Sequence, residues 1–246
     1  MRLIRVHVEA RLGPGSRVRI EGAAAAHVTR VLRLGVGDAV TLFNGDGADY
    51  PARIASLGRG SVEADVTGTA AARPESPLSV TLVQGIARAE RMDLVLQKAT
   101  ELGVAAILPV ATARSVVKLD AGTRERKRAH WRGVAIAACE QCGRAAVPEV
   151  AEPRGFAEWL REPPRAATRL LLSPDASTAL AAGAQGATSV ELLVGPEGGL
   201  EDSEREAARA AGFRACRLGP RVLRSETAAI AAIALLQAIA GDFGGV

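Results

Sequence analysis

Two glycine-bearing stretches, a basic segment and one cysteine pair are where this sequence carries residues fit for chemistry. Gly195-Pro196-Glu197-Gly198-Gly199-Leu200 packs three glycines and a proline into six positions. Such a turn is stiff, and its backbone can approach a ligand closely. It lacks the Lys-Ser/Thr of a P-loop and the G-x-G-x-x-G of a dinucleotide fingerprint, which argues against both ligand classes. A tight strand-to-helix connection without a ligand is the plainer reading. Further on, Gly219-Pro220-Arg221-Val222-Leu223-Arg224 runs into Ser225-Glu226-Thr227-Ala228. Ser225 suits a helix N-cap, and Glu226 sits where the helix dipole favours an anion. Two arginines at the opening of a buried apolar helix suggest more than a structural end. A solvated rim is the alternative.

The basic segment runs from Arg114 to Arg132. It holds Arg114, Lys118, Arg124, Arg126, Lys127, Arg128 and Arg132 against Asp120 and Glu125, a net +5. Residues 1–33 carry another +5, from seven arginines against Glu9 and Glu21. The whole chain is only +4, so its positive charge is local. Clustered arginine on a modest total is the pattern of a phosphate-backbone binder, set against a merely solvated helical face. The cysteines are Cys139, Cys142 and Cys216. An odd, sparse set argues against a disulfide framework and for a reducing compartment. Cys139-Glu140-Gln141-Cys142 has no second pair, and a structural zinc site needs about four ligands, so no metal is expected. A redox pair opens a helix after a strand, whereas this one falls late in a helical stretch.

The elements that must position these loops divide the 246 residues in two. Up to about residue 70, period-two alternation marks strands at Arg17–Ile20, Ala39–Phe43, Ala52–Ala55 and Ser61–Val66. Turn signals lie between them, with one short helix around Gly22–Leu32. This is a small β-barrel pattern. Ala71–Pro77, with two prolines, reads as a linker. Beyond it, strands at Leu78–Gln84, Val104–Val110, Arg169–Ser173, Val190–Val194 and Arg214–Leu218 alternate with helices. The helices fall at Glu90–Leu102, Thr123–Gln141, Ala176–Ala182, Asp202–Ala211 and Ser225–Ala240. That alternation implies a parallel α/β sheet, in which ligands bind beyond the carboxyl ends of the strands. Aromatic residues are 3% of the chain, so the core must be Ala, Val, Leu and Ile. The N-terminus has no apolar signal-peptide core, and the longest apolar run, 228–240, is short of the roughly 20 residues that span a bilayer. A soluble, cytoplasmic protein without membrane contact is expected.

Taken in order, these stretches resemble the bacterial 16S ribosomal RNA uridine-N3 methyltransferases of the SPOUT superfamily. The matching residues are His27-Val28-Thr29-Arg30-Val31-Leu32-Arg33 with Gly37-Asp38, Gln97-Lys98-Ala99-Thr100-Glu101-Leu102-Gly103-Val104, and Arg114 with Val117-Lys118-Leu119-Asp120. They continue with Ala137–Arg144, the glycine loop 195–200, and Leu218 through Ala228. Ser225 stands where many relatives carry Thr, and the stretch Glu90–Met92 matches loosely.

The resemblance implies a trefoil-knotted α/β methyltransferase domain over 72–246 and a PUA-like β-barrel over 1–71. It implies S-adenosyl-L-methionine as cofactor, a homodimer with each cofactor site near the subunit interface, and 16S ribosomal RNA or the small ribosomal subunit as partner. The reaction would be in-line methyl transfer to N3 of a uridine. Cofactor contacts would fall on Leu193, Gly195, Pro196, Glu197, Gly198 and Gly199 of one loop, and on Leu218, Gly219, Leu223, Ser225 and Ala228 of the other. Within that set Glu197 is read as holding the loop in preference to touching the ligand. Arg114 would orient the uridine or its phosphate, with Arg224 and Arg144 as alternatives. Glu140 or Glu226 would accept the N3 proton, and Gln141 would bond the base edge. RNA contacts would come from Arg2, Arg5, Arg30, Arg33, Lys118, Arg124, Arg126, Lys127 and Arg128. A ribose 2′-O methyltransferase of the same superfamily, or a relative that binds RNA without catalysis, are the competing expectations.

Overall fold

The computed structural model describes residues 4–115 and 120–244. Arg2 and Lys118, and the motif residues Val117 and Leu119, lie outside the described residues. The chain forms two compact units: Met1–Glu75 with Ile136–Val147, and Ser76–Ala135 with Pro148–Val246.

The first unit is built on strands β1 (Arg5–His7), β2 (Arg17–Glu21), β3 (Ala39–Phe43), β4 (Ala48–Gly58), β5 (Ser61–Val66) and β6 (Ala70–Ala71). They pair in the order β1-β3-β4-β5-β2, with β6 on β4. β2 alternates exposed and buried residues throughout, the mark of a strand with one wet face. Val6, Val18, Ile20, Leu42, Ile54 and Val62 form its core. Four features differ from the sequence pattern, the first being that β6 takes in Ala71, read as the start of the linker. β1 escaped notice because its three residues are all buried, including the polar Arg5 and His7. β4 is longer than the alternation shows, because a register shift between Ile54 and Ser56 breaks the period. The helix around Gly22–Leu32 is an α-turn, α1 (Gly22–Ala26), followed by a π-helical turn at His27–Val31.

The second unit carries strands β7 (Ser79–Gly85), β8 (Ala106–Ala111), β9 (Glu149–Val150), β10 (Arg154–Gly155), β11 (Thr168–Leu172), β12 (Ser189–Val194) and β13 (Arg214–Cys216). The order is β10-β8-β7-β12-β11-β13, with β9 also on β8. Every pair is parallel. β7 and β12 lie mid-sheet and are almost continuously buried, so their apolar residues do not alternate with exposed ones, and Thr81, Gln84 and Glu191 are buried among them. The helices are α2 (Ala89–Glu101), α3 (Ala121–Cys142), α4 (Phe156–Trp159), α5 (Leu180–Gly183), α6 (Asp202–Ala210) and α7 (Ser225–Ala240). The end of α3 groups with the first unit.

α2 buries Met92, Val95, Leu96 and Ala99 on one face. α7 answers with Ala229, Ala232, Ile233 and Leu236 at the same helical spacing. The buried amide of Gln237 fixes their register: it donates to the Leu102 carbonyl at 2.9 Å and accepts from the Ser76 hydroxyl at 2.6 Å. α5 is four residues long and starts later than its sequence suggests. Ala179 is extended there and bridges Arg217. β9, β10 and α4 are too short to leave a periodic signal.

One ion pair is set inside this sheet. Arg169 on β11 is the direct neighbour of Glu191 on β12, with Nε 2.8 Å from the carboxylate. The guanidinium also donates to the Ala211 carbonyl and lies 4.1 Å over the Phe213 ring. Burial pushes the Glu191 carboxyl up, against the pull of Arg169. Arg169→Met would leave that carboxylate buried and uncompensated. The expected loss is about 3–5 kcal/mol, measurable by urea unfolding. A loss within experimental scatter would show that the pair is not structural.

Candidate functional site

The carboxyl ends of β11, β12 and β13 open onto a cavity of about 520 Å³. Its walls are three stretches that follow those strands: Leu171–Pro174, Val194–Leu200 without Gly198, and Cys216–Ser225 without Pro220. Ala228, Arg91 and Arg205 complete the lining. The chain order reverses between β7 and β12, since β8 lies on one side and β11 on the other. A switch point of this kind opens a crevice at the strand ends.

The glycine loop is shaped by close approach. A Cβ on Gly85, at the end of β7, would sit 2.5 Å from the Pro196 ring. Only glycine lets β7 and the loop meet there. Gly199 has φ +71° and its N–H closes a turn onto the Pro196 carbonyl at 2.9 Å. The second loop is locked to the first by Ser225. Its hydroxyl donates to the Gly195 carbonyl at 2.6 Å and accepts from the Gln84 amide at 3.0 Å. Gln84 is fully buried and also donates to the Gly85 carbonyl. One hydroxyl thus joins the end of β7, the glycine loop and the start of α7. Ser225 is therefore not the N-cap that its position suggests. Arg224 occupies that position with extended backbone and no side-chain cap.

Glu197 anchors the outer side of the loop. It accepts the Arg88 N–H at 3.1 Å and Arg91 Nη1 at 3.2 Å. Burial disfavours its ionised form, but backbone donors and the Arg91 guanidinium outweigh that and hold the carboxyl below its usual value. The contact is present at neutral pH and is lost only as pH falls through the lowered value. Arg91 also reaches toward Glu226, at 3.8 Å. Glu226 is buried, and its Oε2 has no partner. Arg114 packs on the far side of the loop and donates to the Gly198 carbonyl at 2.8 Å. Its neighbour Ala113 is held by the buried Glu204, whose carboxylate accepts the Ala113 and Glu201 N–H groups.

Nine of the eleven expected cofactor residues line the cavity: Gly195, Pro196, Glu197, Gly199, Leu218, Gly219, Leu223, Ser225 and Ala228. Leu193 does not; its side chain is wholly buried in the core with Val83 and Phe213. Gly198 does not either, because it backs onto Arg114. Of the expected catalytic residues, Arg224 lines the cavity and Arg114 supports its loop. Glu140, Gln141 and Arg144 belong to the first unit. There Glu140 accepts the His7 N–H at 3.0 Å, Gln141 is exposed, and Arg144 pairs with Glu75. Arg5, expected to touch RNA, is buried against Asp49 at 2.5 Å and donates to the Arg144 carbonyl. It is a structural tie and offers no free guanidinium. Arg30, within the π-helical turn, and Arg33, just after it, are exposed, and Arg33 has φ +54°.

Along α3, Arg126 is exposed and donates to Gly122. Arg124 pairs with Glu158, Lys127 lies over the Trp131 ring, and Arg128 donates to Val150. The Cys139 thiol is pushed up to about 12, chiefly by burial, so that cysteine is unreactive at neutral pH. Among the described residues no group of three or more His, Cys, Asp or Glu is assembled for a metal. No helix among them is long and apolar enough to cross a membrane. Gln84, Arg91 and Glu204 were missed as site residues. Gln84 had a signal: a lone amide ending an apolar strand at the point where ligands bind.

Comparison with known proteins agrees with this layout. An RNA methyltransferase domain model matches residues 74–237, and an RNA methyltransferase PUA domain model matches 20–67. The chain is 30% identical over 241 residues to ribosomal RNA small subunit methyltransferase E of Buchnera aphidicola, covering 98% of each. A Legionella pneumophila methyltransferase solved with bound SAM superposes with TM-score 0.93 at 39% identity, covering 99% of this chain and all of that one. The small subunit methyltransferase E of Neisseria gonorrhoeae, bound to S-adenosyl methionine, superposes with TM-score 0.90 at 37% identity, over 98% and 99% of the two chains.

Ser225→Ala removes the shared hydroxyl and leaves the Gln84 amide and Gly195 carbonyl short of a partner. The expected cost is about 1–3 kcal/mol, read as a lower unfolding midpoint in urea. Ser225→Thr keeps the hydroxyl and should restore most of the loss. Equal loss in both variants would show that bulk at this position, not the hydrogen bonds, sets stability.

Proposed function

The chain belongs to the ribosomal RNA small subunit methyltransferase E family, and on that premise we propose that its cavity holds S-adenosyl-L-methionine beside a uridine of 16S ribosomal RNA. The enzyme methylates N3 of that uridine. The observation that carries this reading is the cavity itself, at the strand ends, walled by two loops tied through Ser225.

The residues present fit the cofactor. About 520 Å³ lies within the range of small-molecule sites. Leu218 and Leu223 offer apolar faces for a flat heteroaromatic ring, and backbone groups of Gly195, Gly199 and Gly219 offer an edge of donors and acceptors. Bound there, S-adenosyl-L-methionine supplies an electrophilic methyl carbon on a sulfonium, with no metal or covalent intermediate needed.

This chain must then place N3 in line and favour loss of its proton. Arg224 at the cavity wall lowers the cost of the uracil anion. Arg114, fixed by Gly198 and by the Ala113–Glu204 bond, orients the uridine or its phosphate. Of the two carboxylates read as proton acceptors, Glu226 is buried behind cavity-lining Ser225 with its Oε1 toward Arg91, and Glu140 accepts the His7 N–H. N3 lies on the Watson–Crick edge, so the base is unpaired when it reacts.

The finer parts of the reading have separate support. After edge strand β13 the chain returns so that α7 packs on α2 and β7, a packing that a trefoil-knotted domain shares. Ile239 and Phe243 stand exposed at the end of α7, as a homodimer interface there would need. A barrel over 1–71 and a catalytic domain over 72–246 remain the functional division, with a cytoplasmic place of action where the small subunit matures.

Incubation with labelled S-adenosyl-L-methionine and small subunits lacking the modification should yield 3-methyluridine on nucleoside analysis. A 2′-O-methyl product, or none, would overturn the assignment. Calorimetry should give one cofactor site per chain. Arg114→Ala should lower transfer roughly 100-fold while leaving cofactor affinity unchanged. Equal loss of both would show that Arg114 acts by bracing the glycine loop through Gly198 and not by orienting the substrate.

A further inference from the structure

The segment after β13 carries three arginines without a carboxylate partner. Arg217, Arg221 and Arg224 are exposed and line the cavity. None makes an ion pair or side-chain hydrogen bond among the described residues. The other guanidiniums at the cavity are taken: Arg91 by Glu197 and Arg205 by Asp202. Between the free three stands Val222, 81% exposed, the most exposed large apolar side chain described. It too lines the cavity.

The backbone on either side is anchored. Arg217 N–H donates to the Thr178 carbonyl at 2.9 Å, and its own carbonyl accepts from Leu180 at 3.0 Å. The Arg224 carbonyl accepts the Ala228 N–H at 2.8 Å, the first bond of α7. The segment is thus held at both ends while its cations and Val222 face outward.

We propose that residues 217–224 form a lip that grips the RNA strand at the mouth of the cavity. Arg217 and Arg221 take backbone phosphates flanking the target, and Val222 packs against a neighbouring base face bared when the uridine leaves its stack. This rests on the methyltransferase reading and names the strand contact of that same site. Free guanidinium forks match phosphate oxygens two at a time. An apolar side chain set among cations suits single-stranded RNA, which offers phosphates and unstacked faces together. A second copy of the chain is the poorer match: it would have to bring carboxylates to three guanidiniums, and the chain is +4 overall.

The test uses the intact protein and a labelled, unmodified 16S ribosomal RNA transcript, with affinity followed across salt. Each phosphate contact on a single strand contributes about 0.7 to the log–log slope, so Arg217→Gln with Arg221→Gln should flatten it by about 1.4. Val222→Ser should weaken RNA binding and keep the wild-type slope. Calorimetric affinity for S-adenosyl-L-methionine and sedimentation mass should match the wild type in both variants. A wild-type slope in the double variant would overturn the proposal. So would a parallel loss of cofactor affinity, or a change of mass showing that a second copy covers the lip. Wild-type protein that binds no cofactor would instead defeat the methyltransferase reading, a separate outcome.

Discussion

The Ser225 hydroxyl is the constraint on which the site depends. It gives its proton to the Gly195 carbonyl and takes one from the buried Gln84 amide. Three segments far apart in sequence end at that oxygen. The glycine loop and the arginine-rich segment face each other across the cavity because Ser225 fixes the distance between their ends. A buried hydroxyl with donor and acceptor both engaged is worth more than its bonds in water, since breaking either strands a polar group without solvent.

Everything around this point serves to deliver the three segments. The parallel sheet brings the ends of β7 and β12 side by side, with Gln84 paired to Val194 in register. Gly85 allows the loop to cross over β7 in contact with its backbone. Gln237 sets α7 against α2, and so sets where α7 begins. Glu197 and Glu204 then brace the outside of the loop and the turn that carries Arg114. The cations left unpaired at the mouth are those that the fold does not consume internally.

Much of this was legible in the residues alone, and the exceptions have physical causes. β7 and β12 were plain because strands buried on both faces are rich in apolar residues. The two loops were plain because glycine, proline and arginine cluster there. β1 was not, because Arg5 and His7 are polar residues buried by distant stretches: Arg5 pairs with Asp49, and the His7 ring packs on Phe43. Arg5 misled for the same reason: an arginine near a terminus looks solvent-facing until its partner 44 residues away is known. Leu193 was read as offering backbone groups to the cofactor; its side chain is in the core, and the cavity lining begins at Val194. Arg91 had no local signal. Its meaning comes from Glu197 and Glu226, more than a hundred residues on. The role of Ser225 was legible as a helix start but not as a tie between loops, because its acceptor is in another segment.

The central claim is that one cavity, closed by the Ser225 tie, receives S-adenosyl-L-methionine. Hydrogen exchange read by mass spectrometry, with and without the cofactor, tests it most directly. The account predicts slowed exchange in 171–174, 194–200 and 217–228 together, with strands β9 and β10 unchanged. Protection confined to one loop, or appearing elsewhere in the second unit, would contradict it.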